Sequence, residues 1–457
     1  MKPIVVAVVL LAAVGLALPV TNLIVGPPQG ALPTVDAKAD PGYANVVTIF
    51  NAKCANCHTE KGKIPFYASF PIARGIIEAD IRQGTRFFDM NSALADPSRP
   101  APEAALAMIE FVTLEGSMPP LRYRVLHWDA GLTDSDREAI LSWARDTRAK
   151  HYATAGIPQA LKSEIIQPLP QKTDLDPAKV ALGNKLYHDV RLSGDDTLSC
   201  ASCHALDKGG TDQARFSTGI RKQMGGINSP TVYNSVFMVR QFWDGRAADL
   251  KEQANGPVNN PIEMGSNWPE AIGKLSTDKA FVAQFKAVYP NGLTSDNITD
   301  AIATFEASLV TPNSRFDKYL LGDETALSDQ EKRGWELFQA TGCQTCHVGK
   351  AMGGQSFEIM GRVEDYFAAR GNVTDADAGR FNFTKNEADR GKFKVPTLRN
   401  VALTYPYFHD GSAKTLEEAV DTMITYQTEA RFSDEDKAAV AAFLRALTGE
   451  YNGKPLQ

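Results

Sequence analysis

The chain is poor in several residue classes, and each shortage excludes something. Cysteine is scarce: six in 457 residues, all within three short stretches, so none remains for a disulfide and the usual inference from disulfides to compartment has nothing to act on. Excess positive charge is missing too. Against 54 Asp and Glu there are 48 Lys and Arg, a net charge of -6, which excludes a basic surface for nucleic acid and predicts no nucleic-acid partner. Long apolar runs are lacking, with one exception at residues 4–26. Spanning a bilayer takes about 20 apolar residues, and this run is about that long. Secretory signals have a shorter apolar core and a small-x-small cleavage site. Gly15-Leu16-Ala17 would serve as one, but the run continues through Leu18, Val20, Leu23 and Val25, so length favours an uncleaved anchor.

What the chain does have is one pattern three times: Cys54-Ala55-Asn56-Cys57-His58, Cys200-Ala201-Ser202-Cys203-His204 and Cys343-Gln344-Thr345-Cys346-His347. Cys-x-x-Cys-His is the c-type haem attachment pattern, in which two thiols add to the vinyl groups of one porphyrin and the next His binds the iron axially. Two residues between the thiols let both sulfurs reach one edge of the ring from a single helical turn, and the following side chain turns under the metal. Three matches that use every cysteine leave zinc and redox-dithiol readings little room. The expectation is three c-type haems, held covalently by Cys54, Cys57, Cys200, Cys203, Cys343 and Cys346, with His58, His204 and His347 as proximal ligands. Because such haem is attached beyond the bacterial inner membrane, the chain is expected on the periplasmic side of that membrane, held by its N-terminal helix.

The length suits about three domains, one per motif. The fold expected is mainly α: three cytochrome c-like haem domains, the last two forming one di-haem unit, plus an N-terminal transmembrane helix. The divisions are 1–26, signal anchor; 27–42, a spacer carrying Pro27, Pro28, Pro33 and Pro41; 43–160, a cytochrome c domain; 161–175, a linker through Gln167-Pro168-Leu169-Pro170; then haem domains at 176–325 and 326–457. Helix signals frame each motif. A helix over 43–50 leads into the first, and one capped by Thr133 with Asp136 closes that domain. Asp176-Pro177 starts the helix ahead of the second motif, and Ser328 with Glu331 starts the one ahead of the third. Gly183-Asn184-Lys185-Leu186-Tyr187 and Gly334-Trp335-Glu336-Leu337-Phe338 form a faint internal repeat. The last amphipathic helix starts at Ser433 and buries Val440, Phe443, Leu444 and Leu447.

The sixth iron ligand decides what each haem does, since a filled site only passes electrons and an open one also binds a small molecule. For the first haem the candidate is Met118, in Ser117-Met118-Pro119-Pro120, with Met90 and Met108 as competitors. For the third it is Met423, which has a core role as its alternative. For the second, Met224, Met238 and His188 are weaker candidates.

From Asp176 to the C-terminus the chain resembles the bacterial di-haem cytochrome c peroxidases. The matching stretches are 228–234 (Asn-Ser-Pro-Thr-Val-Tyr-Asn), 241–246 (Gln-Phe-Trp-Asp-Gly-Arg), 261–264 (Pro-Ile-Glu-Met), 395–400 (Val-Pro-Thr-Leu-Arg-Asn) and 406–409 (Pro-Tyr-Phe-His). With its extra N-terminal haem motif and apolar segment, the whole chain is similar to the membrane-anchored three-haem quinol peroxidases of that family. The resemblance implies reduction of hydrogen peroxide at the haem on His204, with the haem on His347 and Met423 relaying electrons from quinol or a small cytochrome c. It implies that Trp243 lies between those haems, that Glu263 is the acid/base and Gln253 the amide beside the open iron, and that Asn228 with the carbonyls of Thr404 and Pro406 binds one calcium ion. Many members carry a His in the loop before Asn-x-Pro-Thr that closes the resting iron. Here that position is Ile220, which implies an open iron in the oxidised protein unless Met224 or Lys222 is recruited. Two readings compete: a non-catalytic electron-transfer cytochrome with every iron closed, and a protein-modifying relative that matures a tryptophan-derived cofactor. The second of these has a tyrosine ligand where Met423 stands, and Tyr426 is only nearby.

Overall fold

The computed structural model describes residues 16–26, 32–34, 41–60, 62, 64–94, 96 and 98–457. They form two compact units, one running to Ala153 and including Lys162–Glu164, the other comprising Thr154–Leu161 and Ile165–Gln457. Both are mainly helical; the strands described are short antiparallel pairs.

In the first unit α1 (Pro41–Lys53) runs straight into the first motif, followed by α2 (Pro71–Phe87), α3 (Glu103–Glu115) and α4 (Asp134–His151). The opening helix is longer at both ends than the periodicity of 43–50 predicts. Thr133 and Asp136 cap α4 reciprocally, and Arg148, Lys150 and His151 sit at its C-terminal end, where the helix dipole favours cations. Tyr43, Val46, Val47 and Phe50 of α1 share an apolar core with Ile140, Trp143 and Ala144 of α4. Trp143 meets Phe50 edge-on at 5.7 Å between ring centroids, the arrangement that aromatic quadrupoles prefer.

The second unit is built twice over. Its elements are α5 (Pro177–Tyr187), α6 (Leu250–Asn259), α7 (Ser295–Ala307), α8 (Asp329–Ala340), β1 (Phe357–Ile359), β2 (Lys392–Lys394), α9 (Leu416–Gln427) and α10 (Asp434–Arg445). Asp176 and Ser328 cap α5 and α8, and Ser433 caps α10, as the sequence signals predict. Helix α5 crosses α7, and α8 crosses α10, each at a glycine: a Cβ on Gly183 would overlap the Ala301 carbonyl, and one on Gly334 the Ala439 carbonyl. The repeat seen in the sequence is therefore a pair of close helix crossings. A second repeat lies at 228–234 and 394–400. Asn234 and Asn400 both adopt left-handed backbone, φ 60° and 63°, and their side-chain amides donate to the same Thr311 hydroxyl at 2.8 and 2.9 Å.

The N-terminal transmembrane helix is corrected, and with it the location on the periplasmic side of an inner membrane. Among the described residues no helix is long and apolar enough to cross a membrane. The described helical stretch covers 16–25. It also buries a polar group on protein, for Asn22 donates from Nδ2 to the Leu126 carbonyl at 2.8 Å. Residues 1–15 of the expected span lie outside the described residues, as does most of the 27–42 spacer. Within that spacer Leu32 is buried, and Asn51 binds both of its backbone polar groups at 2.9 and 3.0 Å.

Candidate haem and peroxide sites

Each Cys-x-x-Cys-His motif is a tight helical turn whose thiols lie close in sequence yet form no disulfide. Burial pushes the thiols up, Cys54 and Cys200 to about 12 and Cys57 to about 11, so they are protonated. Among the described residues no three His, Cys, Asp or Glu side chains come together as a metal cluster. The histidines fit axial ligation. His58 Nδ1 lies 2.9 Å from the Phe88 carbonyl, and His347 Nδ1 lies 3.3 Å from the Met352 carbonyl. A carbonyl only accepts, so each Nδ1 carries the proton and Nε2 keeps its lone pair for a metal. Burial holds all three histidines below their ordinary pKa and hence neutral, His347 at about 4. His204 Nδ1 is buried without a partner at hydrogen-bond geometry, though the carbonyls of Gly210 and Pro230 bear on its ring.

Around the first motif, α2 passes so close that a Cβ on Gly84 would overlap the Cys57 carbonyl. Met118 is 40% exposed, in the loop after α3, whereas Met90 is buried in the apolar core. A trio not singled out by sequence lies nearby: buried His127 stacks on half-buried Tyr123 at 3.9 Å and pairs through Nε2 with the buried Tyr67 hydroxyl at 2.8 Å.

Around the second motif, α6 carries Gln253, half-buried, and its C-terminal end folds back on itself through Met264 N to Pro257 O and Gly265 N to Asn260 O. That return places Glu263, whose carboxylate accepts from Asn260 Nδ2 at 2.8 Å. Burial raises the Glu263 pKa above the ordinary carboxylate value, with Arg246 and Asn260 opposing, and the carboxylate bears electrostatically on the Cys203 thiol. The loop of Ile220 is pinned to this turn by Ile220 N to Glu263 O at 2.7 Å and Gln223 Nε2 to Pro261 O at 3.0 Å. Ile220 itself is buried, packed against Gly265 and Gly194. Of the weaker ligand candidates, Met224 and His188 are exposed, and Met238 has its sulfur 2.8 Å from Lys394 Nζ. Glu306 of α7 is another side chain that sequence reasoning missed. It is buried with one carboxyl oxygen unpartnered, burial pushes it up to about 8, and it bears on the Cys200 thiol.

Trp243 and Met423 of α9 pack in one cluster with Phe393, Tyr366 and Tyr426. Trp243 donates from Nε1 to the Asn228 carbonyl at 2.9 Å, and Asn228 N donates to the His409 carbonyl at 2.7 Å. The loop of Asn228 is thus sewn to the loop containing Thr404 and Pro406, with Gln213 Nε2 to Leu403 O at 3.1 Å and Arg215 Nε to Asp410 O at 3.0 Å. His409 lies in the quoted motif without an assigned role. It stacks on Phe393 at 4.2 Å and binds Asp377 at 2.7 Å, and Asp377 is paired with Arg370. Thr374 with Asp377 forms a local capping box, but the His409 partner of Asp377 and the Asp410 partner of Arg370 lie 32 and 40 residues away.

Paired thiols on one turn with a neutral imidazole beneath, in helical units, define a c-type haem protein. Residues 177–325 match the di-haem cytochrome c peroxidase family, 28–146 a haem-binding domain and 331–448 cytochrome c. The chain is 48% identical over 403 residues to the cytochrome c peroxidase Ccp of Escherichia coli K12, covering 87% of this chain and 86% of that one. It is 47% identical over 300 residues to the cytochrome c551 peroxidase of Nitrosomonas europaea, covering 65% of this chain and 88% of that one. A crystal structure of a MauG-like protein associated with microbial copper homeostasis is similar at TM-score 0.54 and 29% identity, over 62% of this chain and 93% of that one. The chain belongs to the di-haem cytochrome c peroxidase family and is a peroxidase.

Proposed function

We propose that the chain reduces hydrogen peroxide to water at a c-type haem on His204, taking two electrons and two protons per peroxide. The observation that carries this reading is the pairing, on one hydrogen-bonded turn, of the raised Glu263 carboxyl with the loop of the buried Ile220, the position to which the resemblance assigns a closing ligand in many members. A haem held by Cys200, Cys203 and His204 supplies peroxide binding and redox chemistry there. Glu263 takes the proton from one peroxide oxygen and returns it to the other, within reach because its turn is fixed. Gln253, an uncharged amide on the α6 helix that leads into that turn, hydrogen-bonds the substrate without competing for the proton. His204, neutral through burial, keeps its Nε2 lone pair for the metal.

Two further haems complete this reading, one on His347 with Met423, the other on His58 with Met118. Trp243, which packs on the same cluster as Met423, would lie on the route between the two haems of the second unit. One calcium ion at Asn228, Thr404 and Pro406 would stiffen the loops that Trp243 joins. The resulting domain functions are electron intake for 43–160, peroxide reduction for 176–325 and electron relay for 326–457. The donor is a small cytochrome c, with quinol as the rival; turnover with each as sole reductant separates them. The test of the catalytic reading is low-temperature EPR of the air-oxidised protein, which shows a high-spin haem, together with Glu263→Gln, which loses at least about 100-fold in peroxide turnover. Three fully low-spin haems, or wild-type turnover in Glu263→Gln, refute it and favour pure electron transfer.

A further inference from the structure

Lys394, at the end of β2, is buried, and its ammonium rests on the Met238 sulfur at 2.8 Å. A thioether is neutral and a weak acceptor, so this contact leaves the cation without a counter-charge. Asp244 is the carboxylate acting on it, and Asp244 is itself paired with Arg246 at 3.1 Å. Burial accordingly pushes Lys394 down to about 7, against the pull of Asp244.

The surroundings say which charge is missing. Directly after Lys394, Val395 accepts from Gly354 N at 2.7 Å, and the Pro396 carbonyl bears on the His347 ring. Met238 packs on Gly354, where a Cβ would come 2.6 Å from its Cγ, in the loop that follows His347. The internal duplication supplies an independent coordinate. Thr231 donates to Gly209 O at 2.7 Å as Thr397 does to Ala351 O at 2.6 Å, and Asn234 and Asn400 share Thr311. In that register Lys394 is the counterpart of Asn228. The half carrying the second motif has a neutral amide where the half carrying the third has a cation. A c-type haem brings two propionate carboxylates, and a positive charge beside one favours the reduced iron.

We propose that Lys394 is the built-in counter-cation of a propionate on the haem tethered at Cys343 and Cys346, a positioning residue that raises that haem's reduction potential above that of the haem on His204. This rests on the three-haem reading above. The test is a spectroscopic redox titration of the full haem-loaded chain. In Lys394→Met the reduction equilibrium of the His347 haem falls at least tenfold, a drop of about 59 mV for one electron, while Met238→Leu, which keeps the charge, stays within about threefold of wild type. An unchanged potential in a fully loaded Lys394→Met overturns the proposal. Should Lys394→Met lose the third haem, Lys394→Gln and Lys394→Arg decide. Loss from the neutral variant alone supports a required charge at the propionate, and loss from both overturns it in favour of packing. A wild-type chain without haem at Cys343 and Cys346 refutes the three-haem reading instead.

Discussion

Replacing Thr311 by Val tests whether the two halves of the second unit are held on one hydroxyl. Thr311 is buried, and its Oγ1 accepts from Asn234 Nδ2 and Asn400 Nδ2. Neither amide can rotate away to find another acceptor. Asn234 Oδ1 holds Thr311 N at 3.0 Å, and Asn400 Oδ1 holds Gly449 N at 2.9 Å. Valine keeps the branched shape, so the loss is confined to the hydroxyl and leaves two buried N–H groups unsatisfied. At about 1–3 kcal/mol for each such donor, Thr311→Val costs about 2–6 kcal/mol. Thr311→Ser keeps the acceptor and loses one methyl, about 1 kcal/mol. Equilibrium urea unfolding of the haem-loaded protein measures both, with the midpoint shifting at constant slope. A Thr311→Val midpoint corresponding to a loss under about 0.5 kcal/mol refutes the shared-acceptor argument, since even one orphaned donor exceeds that.

Three further outcomes are expected. Gly334→Ala forces a Cβ into the Ala439 carbonyl and destabilises the α8–α10 crossing by more than about 2 kcal/mol, seen as a lowered unfolding midpoint; a neutral result means the crossing is loose. Peroxide turnover falls as pH drops through the raised Glu263 pKa, because the base form is then lost. In Arg246→Gln, which removes an opposing cation, that acid limb moves to higher pH; a limb moving down contradicts the assignment. Asp377 is held down at about 2: burial alone would raise it, but Arg370, the Thr374 N–H and His409 outweigh burial. A depressed folded pKa contributes stability above the unfolded value near 3.8 that disappears as pH falls toward 2. Asp377→Asn therefore flattens the acid limb of the stability curve between about pH 4 and 2, and an unaltered limb speaks against the Arg370 pairing.

The sequence by itself determined whatever a few adjacent residues can specify. A haem motif is five consecutive positions. A helix cap is one side chain and the backbone three residues on, and Thr133, Asp176, Ser328 and Ser433 each cap as their local pattern requires. Gly183 and Gly334 were visible as a repeat, but their reason lies in carbonyls more than 100 residues away. Tertiary structure alone decided the pairing of Lys394 with Met238, of His409 with Asp377 and of both repeat asparagines with Thr311. It also overturned the membrane anchor. Apolar length is a property of a segment, whereas Asn22 finds its partner in the Leu126 carbonyl, 104 residues further on. Polar groups and charges inside a protein are satisfied across the fold, so no window along the chain contains both halves of such a bargain.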